Sequence, residues 1–246
     1  MVVTGRIVMD YEELAYDGYY VSEVLGPVKS GKEATVFCCS AQAHTGLDLI
    51  AAKVYRPLKT RQFRNDAVYQ RGRYIKDTRL RRAYHNKSRA GQAAQFSRWI
   101  TAEYETMELL YSAGADIPHP HALSGSAILM EYVGEEDQPA VTLNQAHLQK
   151  PEAREHFQTL IRNIGLWLSL GRVHADLSPF NVLYWNGTIR VIDFPQSVDP
   201  YANNSAFSLL VRDVENICRH FRQYDIEESG YDIASAIWAE HAERRV

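Results

Sequence analysis

The stretch His174-Ala175-Asp176-Leu177-Ser178-Pro179-Phe180-Asn181, continued downstream by Val191-Ile192-Asp193-Phe194, decides how this chain is read. Its pattern is H-x-D-x-x-x-x-N, then two short apolar runs around a turn, then D-F. The turn is Asn186-Gly187, a strong two-residue hairpin signal, with Val182–Trp185 before it and Ile189–Ile192 after it. A hairpin returns the chain to its starting point, so Asp193 comes back beside Asn181. A carboxylate and a carboxamide then meet there, at opposite ends of one small ribbon. The plain alternative is a loop and a surface hairpin whose acids only cap or solvate. Three polar residues at these offsets, joined by an Asn-Gly turn, speak against it.

Working outward, the N-terminal part reads as strands. Val21–Val28 is apolar and β-branched, Lys29-Ser30-Gly31-Lys32 turns the chain, and Glu33–Ser40 follows. A second turn at His44-Thr45-Gly46 leads to Leu49–Tyr55, and Pro57 stops that strand. Three strands with short turns predict an antiparallel meander. From Ala93 a helical stripe appears at Phe96, Ile100, Met107 and Leu110, with Trp99 and Tyr111 alongside, and Gly114 caps it. Glu103 falls on this stripe, an expensive place for a carboxylate unless it has a partner. Lys53, in Ala51-Ala52-Lys53 on the third strand, is the natural partner. A strand-end lysine is more often just surface, and a buried Lys–Glu pair is a poor source of stability, so positioning is the better reason for it.

Ala127–Val133 reads as a buried strand and Gly134-Glu135-Glu136-Asp137 as an exposed linker between two lobes. Beyond it, Pro151 suits a first helical turn, and Phe157, Leu160, Ile161, Ile164, Trp167 and Leu168 make an apolar face ending at Gly171. Helices resume at Leu209–Tyr224 and Ile233–Arg244. Strands first and helices after predict an α+β fold.

Composition places the chain among ordinary globular proteins: 246 residues, 46% apolar and 23% charged. No run is long and apolar enough to span a membrane, and the start lacks the basic and apolar regions of a signal peptide, which points to the cytoplasm. Cys38, Cys39 and Cys218 show no metal-ligand spacing and read as buried strand and helix residues. The net charge of −3 hides a block: residues 59–98 hold 12 Lys/Arg against 2 Asp/Glu. Such a segment is usually solvated, and its functional alternative is contact with a phosphate backbone.

The H-x-D-x-x-x-x-N loop, the hairpin and the later Asp resemble protein kinases, in which a loop aspartate accepts the proton of the incoming hydroxyl and an asparagine and a second aspartate hold Mg²⁺. More closely, S-G-K-E-A-x-V-F, V-H-A-D-L-S-x-x-N-V-L, I-D-F-P-Q-S and Arg212-Asp213-Val214 resemble the RIO family of atypical serine/threonine kinases, over approximately Val28 to Phe221. The resemblance implies a trimmed two-lobed kinase-like domain over 1–246, with an antiparallel-sheet N-lobe and one long helix to about 133. A hinge at about 131–138 and a mainly helical C-lobe at about 139–246 complete it. It implies that Asp176 is the catalytic base, that Asn181 and Asp193 are metal ligands, and that Lys53 and Glu103 anchor the phosphates. Ser30, Gly31 and Lys32 would form the phosphate loop, Val36 would lie in the ATP site, and Glu131 and Val133 would offer backbone contacts to adenine.

The implied cofactors are ATP and Mg²⁺, with Mn²⁺ as a substitute. The implied acceptor is a protein or the enzyme itself, with ATPase activity alongside. The basic segment 59–98 matches the position of the family's flexible loop. Where an ordinary kinase has D-F-G, Pro195 replaces the glycine, and only Gly31 remains of a Gly-rich loop. The resemblance is expected to cover the kinase region without the winged-helix module that some relatives carry. In this family the residue matching Asp193 is associated with a phosphoaspartate, so it has two candidate roles, metal ligand alone or ligand and nucleophile. Two other functions remain open: an ATPase switch associated with RNA or ribosomal particles, and a small-molecule kinase of the antibiotic type.

Overall fold

The computed structural model describes residues 18–56 and 89–243. Pro57 and most of the basic segment lie outside the described residues.

Strands β1 (Val21–Ser30), β2 (Ala34–Ala41) and β3 (Leu49–Tyr55) form the expected antiparallel meander. The side-chain period of two along β3 sorts its residues between two cores. Ile50, Ala52 and Val54 pack on the outer face of the sheet, and Ala51 and Tyr55 join the main core on the inner face. Lys53 therefore points inward with Ala51 and Tyr55.

The sheet has five strands in the order β1-β2-β3-β5-β4, with β4 at Pro120–Ser124 and β5 at Ala127–Glu131. β4 has no signature in the sequence. Its residues, Pro-His-Ala-Leu-Ser, show no apolar alternation and begin with a proline. As an edge strand it tolerates the missing N–H. β5 also ends earlier than expected, at Glu131.

Helix α1 (Arg89–Ser112) starts four residues before the expected stripe and overlaps the basic segment. Ile100, Met107 and Leu110 are buried, and Glu103, on the same i, i+3, i+4, i+7 face, is only 1% exposed. Gly114, at φ 84, follows the helix end in the left-handed region.

The expected linker is instead a small ribbon, β6 (Gly134–Glu135) against β7 (Gln138–Pro139). Gly134 is required there: its φ is 129, and a Cβ would lie 2.7 Å from the Gln138 carbonyl oxygen.

The C-terminal part holds α2 (Lys150–Ser169), α3 (Ala206–Phe221) and α4 (Gly230–Glu243), with a short 3₁₀ turn at Arg222–Tyr224. A three-stranded sheet in the order β10-β9-β8 is set into it, from β8 (Val141–Thr142), β9 (Val182–Trp185) and β10 (Thr188–Val191). Asn186 and Gly187 have φ 46 and 74, both left-handed, as a type I′ turn demands. One core of buried residues runs from Ile128 and Ile100 through Trp167 and Val191 to Phe221. Cys38, Cys39 and Cys218 are all buried in strands or helix, as expected. Among the described residues no helix is long and apolar enough to cross a membrane.

Candidate active site

The site is built around one ammonium group. Lys53 Nζ donates to Glu103 Oε1 at 2.7 Å and to Asp193 Oδ1 at 2.7 Å, tying β3, α1 and the segment after β10 together. The second oxygen of Glu103 accepts the hydroxyl of Tyr55, two residues along β3. Burial works against the charge on Lys53, but Asp193 and then Glu103 hold its pKa well above the usual value. Burial likewise opposes ionisation of Asp193, and Lys53 outweighs it, holding the carboxyl below the usual range. Lys29 adds a smaller pull in the same direction. Both groups are thus charged at neutral pH.

Across from this ion triad lies the loop that carries Asp176. Its shape depends on two residues of α3. Asp213, 1% exposed, accepts the backbone N–H of Ala175 at 2.7 Å and of Leu177 at 3.0 Å, and Arg212 donates to the Ala175 carbonyl. Ala175 sits at φ 66 and Asp193 at φ 75, left-handed conformations that cost about 1–3 kcal/mol each in a non-glycine residue. The backbone on both sides of the site is therefore held under strain by surrounding contacts. Asp176 itself is exposed. Partial burial and then the nearby Asp193 raise its pKa, while Arg212 lowers it.

His174 is buried, with Nε2 3.2 Å from the Ile192 carbonyl and its ring against Phe194 and Trp167. Burial lowers its pKa to about 4, so it is a neutral spacer that joins the loop to the strand after the hairpin.

Asn181 donates its amide N–H to the carbonyl of Asp176 at 2.9 Å, and its backbone carbonyl accepts Ile192 N–H at 2.9 Å. The amide is thereby oriented, and its side-chain oxygen would be the ligating atom. One amide oxygen and the carboxylate of Asp193 are the hard donors Mg²⁺ takes, and its other positions suit water and phosphate oxygens. These residues fit the ion. Among the described residues no group of three or more His, Cys, Asp or Glu is placed to hold a metal ion.

The phosphate-loop candidates sit at the turn between β1 and β2. Ser30 Oγ lies 3.2 Å from Thr35 Oγ1 and accepts Arg56 Nη2 at 2.6 Å, while Gly31 N–H bonds the Ala34 carbonyl at 2.9 Å. Arg56 N–H also bonds the Glu33 carbonyl at 2.9 Å. The turn is pinned by the end of β3, which replaces the mobility of a Gly-rich loop with fixed contacts. Gly31 and Lys32 are exposed, and Val36 is packed against the main core. Glu131 uses its backbone N–H on the His119 carbonyl at 2.8 Å and its carboxylate on His119 N–H at 3.1 Å. Val133 accepts Ala140 N–H at 3.0 Å, so contact with a base would fall to its own N–H.

Lys53, Glu103, Asp193, Asp176 and Asn181 are thus brought to one place. Tyr55, Arg56, Lys29 and Asp213 were given no role from sequence. Asp213 did leave a signal: it lies on the buried face of α3 with Leu209, Leu210, Val214 and Ile217, where an unpartnered carboxylate is costly.

The RIO domain family model matches residues 35–234. The chain belongs to the RIO family of serine/threonine kinases. It is 30% identical over 237 residues to the RIO-type serine/threonine-protein kinase Rio1 of Haloferax volcanii, covering 94% of this chain and 74% of that one. It is 27% identical over 207 residues to human RIO1, covering 84% of this chain but only 34% of the human protein. The fold matches a Rio2 kinase of Chaetomium thermophilum solved as an ADP/Mg²⁺–phosphoaspartate complex. The TM-score is 0.61 at 22% identity, over 95% of this chain and 71% of that one. A second Rio2 structure from the same organism gives a TM-score of 0.63, again at 22% identity, over 92% and 65%.

Proposed function

We propose that this RIO-family site transfers the γ-phosphoryl group of ATP to a serine or threonine hydroxyl, on another protein or on its own chain. The observation that carries this reading is Lys53 held at 2.7 Å from both Glu103 and Asp193. That geometry sets a fixed positive charge where phosphate oxygens gain negative charge in transfer.

In this reading Asp176 accepts the proton of the acceptor hydroxyl, and its raised pKa makes the ionised form a better base. Lys53 leans on Glu103 and neutralises the phosphates. Asn181 and Asp193 would hold Mg²⁺, which when bound supplies charge neutralisation to the phosphate oxygens. The Ser30 hydroxyl, the Gly31 region and Lys29 would cover the phosphates, and Val36, Glu131 and Val133 would border the base.

Asp193 has a second role in this proposal. One of its oxygens forms a bond to the γ-phosphorus as the bond to the β–γ bridging oxygen breaks, ADP leaves with that oxygen, and Asp193 carries the phosphoryl group. A water or an acceptor hydroxyl then takes it and restores the carboxylate, so the same residues run an ATPase cycle or a kinase cycle. The Rio2 phosphoaspartate complex supports this reading by likeness of fold. Pro195 after Asp193-Phe194 restricts the backbone there and suits a resident nucleophile better than a mobile switch.

Incubation with γ-labelled ATP and Mg²⁺, tracking label into protein hydroxyls, free phosphate and acyl phosphate, tests the proposal. Label in none of the three would reject it.

A further inference from the structure

Tyr55 stands two residues beyond Lys53 on β3, so the strand period sends both side chains to the same face, toward α1. There they divide one carboxylate between them. Glu103 Oε1 accepts Lys53 at 2.7 Å and Oε2 accepts the Tyr55 hydroxyl. We infer that Tyr55 is a positioning residue for phosphoryl transfer, acting on Lys53 through Glu103. The inference rests on the site reading proposed above and deepens it.

Glu103 and Tyr55 are 1% and 2% exposed, so no bulk water competes for either group. A carboxylate held by one donor on each oxygen cannot turn about its last bond. Take the hydroxyl away and a buried carboxylate oxygen is left without its donor, a state that costs about 1–3 kcal/mol. The cheapest repair is rotation that offers both oxygens to Lys53, the cation Glu103 already holds. Lys53 is shared between two carboxylates, and such a rotation draws it toward Glu103 and away from Asp193. The hydroxyl thus sets how Lys53 is divided between the helix and the residue at the reacting phosphate.

The ring is held for this task. It stands edge-on to Trp99 of α1 with centroids 5.1 Å apart, and Lys53 Nζ lies 5.2 Å from its centre. Burial and then the Glu103 charge push the phenol's pKa well above its usual value, so it stays protonated and remains a donor at every working pH. An outward swing of α1 would break the Tyr55 bond to Glu103 as well as the Lys53 one. The bond therefore pins the helix in its engaged position before any nucleotide arrives.

The test is Tyr55→Phe, which keeps the ring and removes only the donor, measured alone and in a Glu103→Gln background, with Lys53→Ala in the same assay. Expected is a fall in kcat of about tenfold, the rate equivalent of one charge-assisted hydrogen bond at the low end. KM for ATP should stay within about twofold, because Tyr55 does not touch the nucleotide. In the Glu103→Gln background the same change should add less than about twofold, since the group it acts through is already altered. A tyrosine that only fills the core would instead leave kcat intact or give the same factor in both backgrounds. Either result overturns the inference. Should Tyr55→Phe fail to fold, hydroxyl-carbon ¹³C labelling of tyrosine in the otherwise wild-type chain serves: a Tyr55 signal unmoved by Glu103→Gln also overturns it. Full activity in Lys53→Ala would sink the site reading itself. An inactive Lys53→Ala beside a wild-type Tyr55→Phe sinks only the role of Tyr55.

Discussion

Asp213 accepts the backbone N–H of Ala175 at 2.7 Å, and Ala175 is the residue that turns the catalytic loop through a left-handed φ of 66°. A carboxylate on α3 thereby holds the strained backbone one residue before Asp176. Burial pushes the pKa of Asp213 up to about 7 from 3.8, against the two N–H groups that favour its ionised form. A raised folded-state pKa means that the native protein keeps a proton the unfolded chain has lost. This contribution to stability is full below about pH 4 and is lost as pH rises through about 7. His174 has the opposite slope: burial lowers it from 6.5 to about 4, so its contribution is full above about pH 6.5 and is lost as pH falls through about 4. Between those limits the two oppose each other. Urea unfolding should show a flatter pH profile for wild type than for Asp213→Asn, which keeps only the His174 slope and loses stability toward acid. Identical profiles would mean that Asp213 titrates normally.

Asp176→Ala should abolish phosphoryl transfer while ATP binding stays within a few-fold. Asp176 is exposed at the loop, where in the proposed reading it would meet the acceptor, whereas the nucleotide's charge would be met by Lys53 and the proposed metal ligands. Calorimetry with Mg²⁺–ATP, beside a transfer assay, checks this. Lost nucleotide binding in a folded variant would move Asp176 out of the base role.

Lys53→Ala should lower turnover by about 10²–10³, the range for removing one preorganised charge stabiliser. Glu103→Ala should do smaller damage, because it reaches the phosphates only through Lys53. The double variant should be less impaired than the product of the two factors. Steady-state rates of all three, set against wild type, decide whether the pair acts as a unit.

Asp193→Asn should lose both the serine or threonine label and a minor acyl-phosphate fraction that hydroxylamine releases from the wild-type protein. The substitution keeps the shape but removes the negative charge that Lys53 pairs with at 2.7 Å and that a nucleophile needs. If hydroxylamine released nothing from wild type under single-turnover conditions, Asp193 would keep only its metal-binding role.

What the sequence determined by itself was local or rested on a cost that local order cannot remove. The Asn186-Gly187 turn required a tight hairpin, and that hairpin joins Asn181 to the strand leading into Asp193 through the bond from Ile192 N–H to the Asn181 carbonyl. The Lys53–Glu103 pair was legible because a carboxylate on the apolar face of α1 had to find a cation. β4 was not legible, because pairing with β5 at a sheet edge makes it a strand while its own residues carry no alternation. Nor was the division of labour inside the site. Tyr55 reads as one more aromatic in a strand until folding lays it on the second oxygen of Glu103. Asp213 reads as a helix acid until α3 places it under the N–H groups of Ala175 and Leu177. Hydrogen bonds across 38 or 48 positions of chain are properties of the packed core. Which partner takes each oxygen is decided only when burial removes water as the alternative.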